Sequence, residues 1–177
     1  MVTTTPAGTY TQAQTYTQLS TKTLTAAAAS VVFSSIPATY TDLVLEMWAR
    51  SNTGTPYGNM YINGDTTSTG CQVTLFANSA NASGGTASND SSSLVYIGQN
   101  SYMDATNPVR TQINIFNYSR TSMHKNIFVR MGNVAEIEIQ SATWRSTAAI
   151  NQLDVRPSGN SWGIGSVFSL YGIKAAV

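Results

Sequence analysis

Three observations predict an all-β fold: an antiparallel, jelly-roll-like β-sandwich with an extended N-terminal arm. From Val31 onward, short runs rich in aliphatic and aromatic residues recur every ten or so positions, divided by clusters of Gly, Asn, Asp and Ser. Several of these runs alternate apolar and polar residues with a period of two. No segment joins a sustained 3.6-residue apolar period to helix caps, and the one Ala-rich stretch, residues 24 to 30, is too short to hold a helix by itself.

The first thirty residues read as an arm. They carry a single charge, Lys22, twelve Thr or Ser, and only Val2, Leu19 and Leu24 as large aliphatic residues, so they cannot build a core alone. The tetrapeptide at residues 9 to 12, Thr-Tyr-Thr-Gln, returns at 15 to 18, which in an extended chain sets Tyr10 and Tyr16 on one face. The expected organisation is therefore an arm over 1–30 and a sandwich over 31–177. Tyr10, Tyr16, Leu19 and Leu24 are the expected contact residues toward another chain.

In the sandwich, Leu43, Leu45, Met47 and Ala49 alternate with Val44, Glu46, Trp48 and Arg50, predicting a strand with one apolar and one mixed face. Residues 59 to 62 form a second run, closed by the turn-favouring Asn63-Gly64-Asp65. Runs at 72 to 77 and 94 to 97 follow. Between them, residues 78 to 93 are dominated by Ser, Asn, Gly and Ala and read as a long exposed loop. Residues 112 to 118 and 125 to 130 predict a hairpin joined by a polar segment at 119 to 124. The run at 134 to 140 is expected to point Ile137 and Ile139 inward and Glu136 and Glu138 outward. Runs at 149 to 155 and 166 to 173 complete the set. In the last, Phe168 and Leu170 share one face, and Gly172 marks a bend or a close backbone approach.

Composition narrows the function. Only 10% of the 177 residues are charged, against roughly 25% in an ordinary soluble domain, and Thr, Ser and Asn together make up about a third. A net charge of +1 without a Lys/Arg cluster argues against nucleic acid as a partner. No apolar stretch approaches the ~20 residues of a spanning helix, so no membrane partner is expected. The start lacks the basic and apolar regions of a signal peptide. A lone Cys71 allows no internal disulfide.

Catalytic and metal chemistry find little support in the residues. His124 is the only histidine and falls in a polar loop segment, and Cys71 opens a strand, where a free cysteine serves as a small buried hydrophobe. The carboxylates Asp42, Glu46, Asp65, Asp90, Asp104, Glu136, Glu138 and Asp154 are scattered singly, so a paired glycosidase arrangement would have to be assembled by the fold. One Cys and one His do not make a zinc site, and Asn63 with Asp65 reads first as a turn and only second as a calcium loop. Phosphate-binding glycine patterns are missing, and no cofactor or metal is expected. Three Asn-x-Ser sequons, at Asn81, Asn89 and Asn117, carry little weight in a chain this rich in Ser and Asn without a secretory signal. The tryptophans Trp48, Trp144 and Trp162 suit either a contact surface or a core. Trp144-Arg145 could fix a corner by stacking guanidinium on indole.

The C-terminal third carries a resemblance. Residues 141 to 150 (Ser-Ala-Thr-Trp-Arg-Ser-Thr-Ala-Ala-Ile), then Asn-Gln-Leu-Asp-Val, a Ser158-Gly159 turn, and the ending Gly165-Ser-Val-Phe-Ser-Leu-Tyr-Gly-Ile-Lys174 resemble the closing segment of β-sandwich structural proteins of tailed bacteriophages. Residues 36 to 45 and 61 to 65 fit the same pattern. The resemblance implies a virion protein, either a head decoration (cement) protein or a fibre tip. A chain starting at Met1 without shaft repeats or coiled coil reads as a complete small subunit. That favours decoration: a non-enzymatic protein made in the host cytoplasm and placed on the outer surface of the capsid. Its expected partners are the major capsid protein and sister subunits in a homo-trimer or homo-dimer, with the arm gripping them. Removing residues 1 to 20 is then expected to leave the domain folded. The alternative is a tail-fibre or head-fibre tip whose 78–93 loop and exposed aromatics recognise host-surface glycan. A glycan hydrolase on carboxylates joined by the fold ranks third.

Overall fold

A computed structural model describes residues 15–54, 56–65, 70–78, 95–97, 103, 105–133 and 136–174. Among them the chain is all-β, with eleven strands and no helix. These are β1 (Tyr16–Thr23), β2 (Val31–Phe33), β3 (Asp42–Ala49), β4 (Gly58–Ile62), β5 (Gly70–Asn78), β6 (Val95–Ile97), β7 (Val109–Phe116), β8 (Lys125–Gly132), β9 (Glu136–Trp144), β10 (Leu153–Pro157) and β11 (Val167–Ile173). They form two antiparallel sheets, a seven-stranded one in the order β1-β11-β3-β7-β8-β9-β5 and a four-stranded one in the order β2-β10-β4-β6. Eight strands pair as a nested set, β1 with β11, β2 with β10, β3 with β7 and β4 with β6, which is the pairing order of a jelly roll. Strands β8, β9 and β5 extend the larger sheet beyond β7.

The expected faces of β3 and β11 are the observed ones. Leu43, Leu45, Met47 and Ala49 are buried, as are Phe168 and Leu170, and they join Ile113, Ile127, Val129, Leu153 and Val155 in a single core. The hairpin of β7 and β8 forms as expected, with Ile113 opposite Val129 and Ile115 opposite Ile127. At Asn63-Gly64 both residues take positive φ, 53° and 66°, and the Asp65 amide donates to Ile62 O at 2.8 Å, closing the tight turn that Asn-Gly favours. Asn63 also ties this turn to the chain ahead of β10. Its Nδ2 donates to Ala149 O at 2.8 Å, and its Oδ1 accepts from the amides of Asn151 and Gln152. At Gly172 a Cβ would lie 2.5 Å from the Tyr40 ring, so the close approach is to an aromatic face rather than to backbone.

Two expectations change. The first is the arm boundary at residue 30. Residues 16 to 23 form β1, in antiparallel register with β11 from Tyr16 opposite Ile173 to Thr23 opposite Val167. The following residues are held as well. Leu24 N donates to Ser166 O, and Ala28 and Trp162 exchange amide-to-carbonyl bonds in both directions. Because β1 pairs with the last strand, this Thr-rich segment belongs to the sandwich despite its weak apolar content. A cut at residue 20 would remove most of β1.

The second concerns β9, whose faces are the reverse of those expected. Glu138 is 1% exposed and Gln140 is buried, whereas Ile137 is 66% and Ile139 42% exposed. The strand runs four residues past the run read from sequence, and the added residues decide its parity. Ala142 and Trp144 are buried opposite Ile127 and Lys125 of β8, which turns Glu138 and Gln140 inward with them. The buried pair satisfies itself in part, Gln140 Nε2 donating to Glu138 Oε1.

Tyr118, fully buried in the turn after β7, donates its hydroxyl to Pro37 O and accepts from the Tyr40 amide at 3.4 Å. Burial is the main influence that pushes this phenol above its ordinary value of about 10. The unfolded chain ionises first, so the stability Tyr118 contributes is complete below about pH 10 and is lost as pH rises through its folded value. Tyr118→Phe is expected to be about 1 kcal/mol less stable at pH 7. Urea denaturation should show the gap between the two proteins closing above about pH 10; a gap independent of pH would contradict this assignment.

Candidate functional site

The two faces of the large sheet differ sharply. The inner face packs on the small sheet, while the outer face carries exposed Tyr16, Trp48, Phe116, Ile137 and Ile139. Trp48 stands there because β3 buries Met47 and Ala49 on the opposite side, leaving Glu46 and Trp48 outward. At 56% exposure Trp48 is a surface tryptophan, whereas Trp144 and Trp162 are buried. Trp162 donates Nε1 to Val155 O at 3.0 Å and meets Phe168 edge-on at 5.3 Å. Trp144 donates Nε1 to Asp65 Oδ2 at 3.0 Å, so its corner is fixed by a carboxylate rather than by the expected stacking on Arg145.

Around Trp48, the sheet register places charged and amide groups side by side. Trp48 is opposite Arg110, which is opposite Gly132; Glu46 is opposite Gln112, which is opposite Arg130. Gln112 Nε2 donates to Glu46 Oε1, and Arg110 Nη2 lies 3.7 Å from Glu46 Oε2. Two open depressions meet over Glu46 and Arg110. One, of about 400 Å³, is floored by Gln112, Arg130, Met131 and Gly132. The other, of about 410 Å³, lies against Trp48, Val167 and Ser169.

The other residues singled out from sequence are dispersed. Tyr16 is exposed and packs edge-on against Tyr171, with ring centroids 6.4 Å apart. Leu19 and Leu24 are half-buried against this chain's own core. Tyr10, the 79–93 part of the long loop, Asp90, Asp104, Asn81 and Asn89 lie outside the described residues. His124 is exposed in the loop before β8. Cys71 lies in β5 opposite Thr143.

Four of the described carboxylates have separate hydrogen-bond partners. Asp42 accepts from the Asn117 amide at 2.7 Å, Asp65 from Trp144, and Glu138 from Gln140. Asp154 holds Arg156, whose guanidinium is pushed further above its ordinary value by that bond. Asn63 and Asp65 direct their side chains to the segment ahead of β10 and to an indole, and no group of three metal-ligating side chains occurs among the described residues. Asn117 sits in a turn at a φ of 53°, partly buried. No helix among the described residues is long and apolar enough to cross a membrane.

The Trp48 row was half legible in the sequence. The non-core parity of Trp48 with Glu46 follows from β3 alone, but its neighbours Arg110, Gln112 and Arg130 depend on strand pairing, which alternation does not specify. No protein-family model matches this sequence, and no curated protein is similar enough to count as a relative.

Proposed function

We propose that this chain is a non-enzymatic structural protein of a bacteriophage virion, a decoration protein that binds the outer surface of the capsid and cements it. The observation that carries the reading is the position of β1. Among the described residues it pairs with β11 on one side only, so its other edge offers backbone donors and acceptors to a neighbouring chain. Exposed Tyr16 stands at its start, packed on Tyr171 and opposite half-buried Ile173, and gives that edge an apolar contact. Residues 1 to 14 lead into this end of the strand. The resemblance of the C-terminal segment to phage virion proteins and the hydroxyl-rich, charge-poor surface support the same role. Few ions need desolvation when many copies pack on a shell, and neutral hydrogen bonds are little affected by salt.

Attachment then comes from strand addition at the β1 edge together with residues 1 to 14, toward the major capsid protein or sister subunits. Many copies bridging capsomers would resist internal pressure through multivalency. The test is co-sedimentation with undecorated capsids of a chain lacking residues 1 to 14 and carrying Tyr16→Lys, since lysine blocks edge pairing. Binding is expected to fall by more than about tenfold, equivalent to about 1.4 kcal/mol, with an unchanged melting profile. Normal decoration by this doubly altered chain would sink the proposal.

A further inference from the structure

We propose that the outer face of the large sheet between Trp48 and Ile137 is a binding site for an acidic saccharide. This inference does not depend on how the chain attaches to a particle. Register sets two adjacent rows across the strands. One row runs Val167, Trp48, Arg110, Gly132 and Ile137; the next runs Ser169, Glu46, Gln112, Arg130 and Ile139. Gly132 contributes no side chain, so the first row is a trough walled by Trp48 on one side and Ile137 on the other. These walls stand three strands apart, about 14 Å, enough for a short oligosaccharide.

The lining matches that ligand in three ways. The exposed indole of Trp48 provides a flat apolar wall for the C–H face of a pyranose ring. Glu46, Gln112, Arg110 and Arg130 present planar groups that can bond in pairs to neighbouring hydroxyls. The lining holds two guanidiniums and one carboxylate, leaving a net positive site, and the Arg fork fits the carboxylate of a uronic or similar acidic sugar. A folded protein partner would need roughly 800 Å² per side and an apolar anchor pocket, whereas this trough is shallow and polar between its walls. Two arginines also fall short of the several cations a nucleic acid strand requires.

The test uses the full chain and three probes of equal length: tetragalacturonate, a neutral tetraglucoside and tetraglutamate. Titration calorimetry and NMR of the indole N–H groups are expected to show binding of the acidic saccharide alone, with the Trp48 signal moving and those of Trp144 and Trp162 still. Trp48→Ala, Arg110→Gln and Arg130→Gln are each expected to weaken binding by about tenfold or more. All three side chains are exposed, so melting curves should match the parent. No binding of tetragalacturonate, binding indifferent to these substitutions, or equal binding of the neutral sugar or the acidic peptide would each overturn the assignment.

Discussion

A chain lacking residues 1 to 23 is expected to lose more than about 5 kcal/mol and with it a cooperative unfolding transition, whereas one lacking residues 1 to 14 stays within about 1 kcal/mol of the parent. The difference is β1. Its removal takes away the strand that pairs with β11 along seven residue positions and strips the edge of the large sheet. It also opens the flank of the core. Leu19, Ser20 and Lys22 line a cleft of about 170 Å³ with Val32, Phe33, Ile36 and Leu170, and without β1 those apolar side chains face water. At roughly 1.5–3 kcal/mol for each large apolar side chain uncovered, two or three such exposures reach the stated loss. Typical domains hold only 5–15 kcal/mol in total. Urea denaturation followed by circular dichroism reads both truncations. Equal midpoints for the two would show that β1 is dispensable and that the arm extends through residue 23.

That strand also shows where sequence reasoning stopped. β3, β7, β8 and β11 were legible because one face of each is densely apolar and buries against the core, so period-two alternation reports the fold directly. β1 was not. Its residues are Thr, Ser, Gln, Tyr and Lys around a single Leu, and it is held by backbone pairing to β11 that no local pattern encodes. β9 was found but turned over, because Ile137 and Ile139 are the obvious inward candidates until Ala142 and Trp144 are counted in the same strand. A register slip of one residue exchanges whole faces, so four extra residues were enough to reverse the reading. Of the outer-face site, Trp48 and Glu46 were readable as non-core positions of one strand. Arg110, Gln112 and Arg130 joined them through the order β3-β7-β8, a long-range property.

Lys125→Met is expected to destabilise the chain by about 2–4 kcal/mol, although it replaces a charge with an apolar side chain of similar length. Lys125 is fully buried at the start of β8, on the side that faces inward with Ile127 and Val129. Its Nζ donates to three backbone carbonyls, Arg120 O at 2.6 Å, Met123 O at 2.8 Å and Thr147 O at 3.1 Å. The ammonium thereby clamps the loop between β7 and β8 to the segment that follows β9. Methionine relieves the cost of burying the charge but leaves three carbonyl oxygens without that donor, and bonds from a charged donor contribute roughly 1.5–3 kcal/mol each. Burial pulls the ammonium below its ordinary 10.5. The unfolded chain therefore holds the proton more tightly, and the contribution of this group to stability rises with pH from its folded value toward 10.5. Substitution by methionine removes that slope. Chemical denaturation of both proteins below the range where Tyr118 ionises should show the parent ahead at every pH, with a lead that grows once pH passes the folded value of Lys125. Lys125→Arg is not expected to rescue, because a planar fork cannot aim at three carbonyls converging on one point. A neutral effect of Lys125→Met would mean that water takes over the three acceptors, and the loop could then not depend on this clamp.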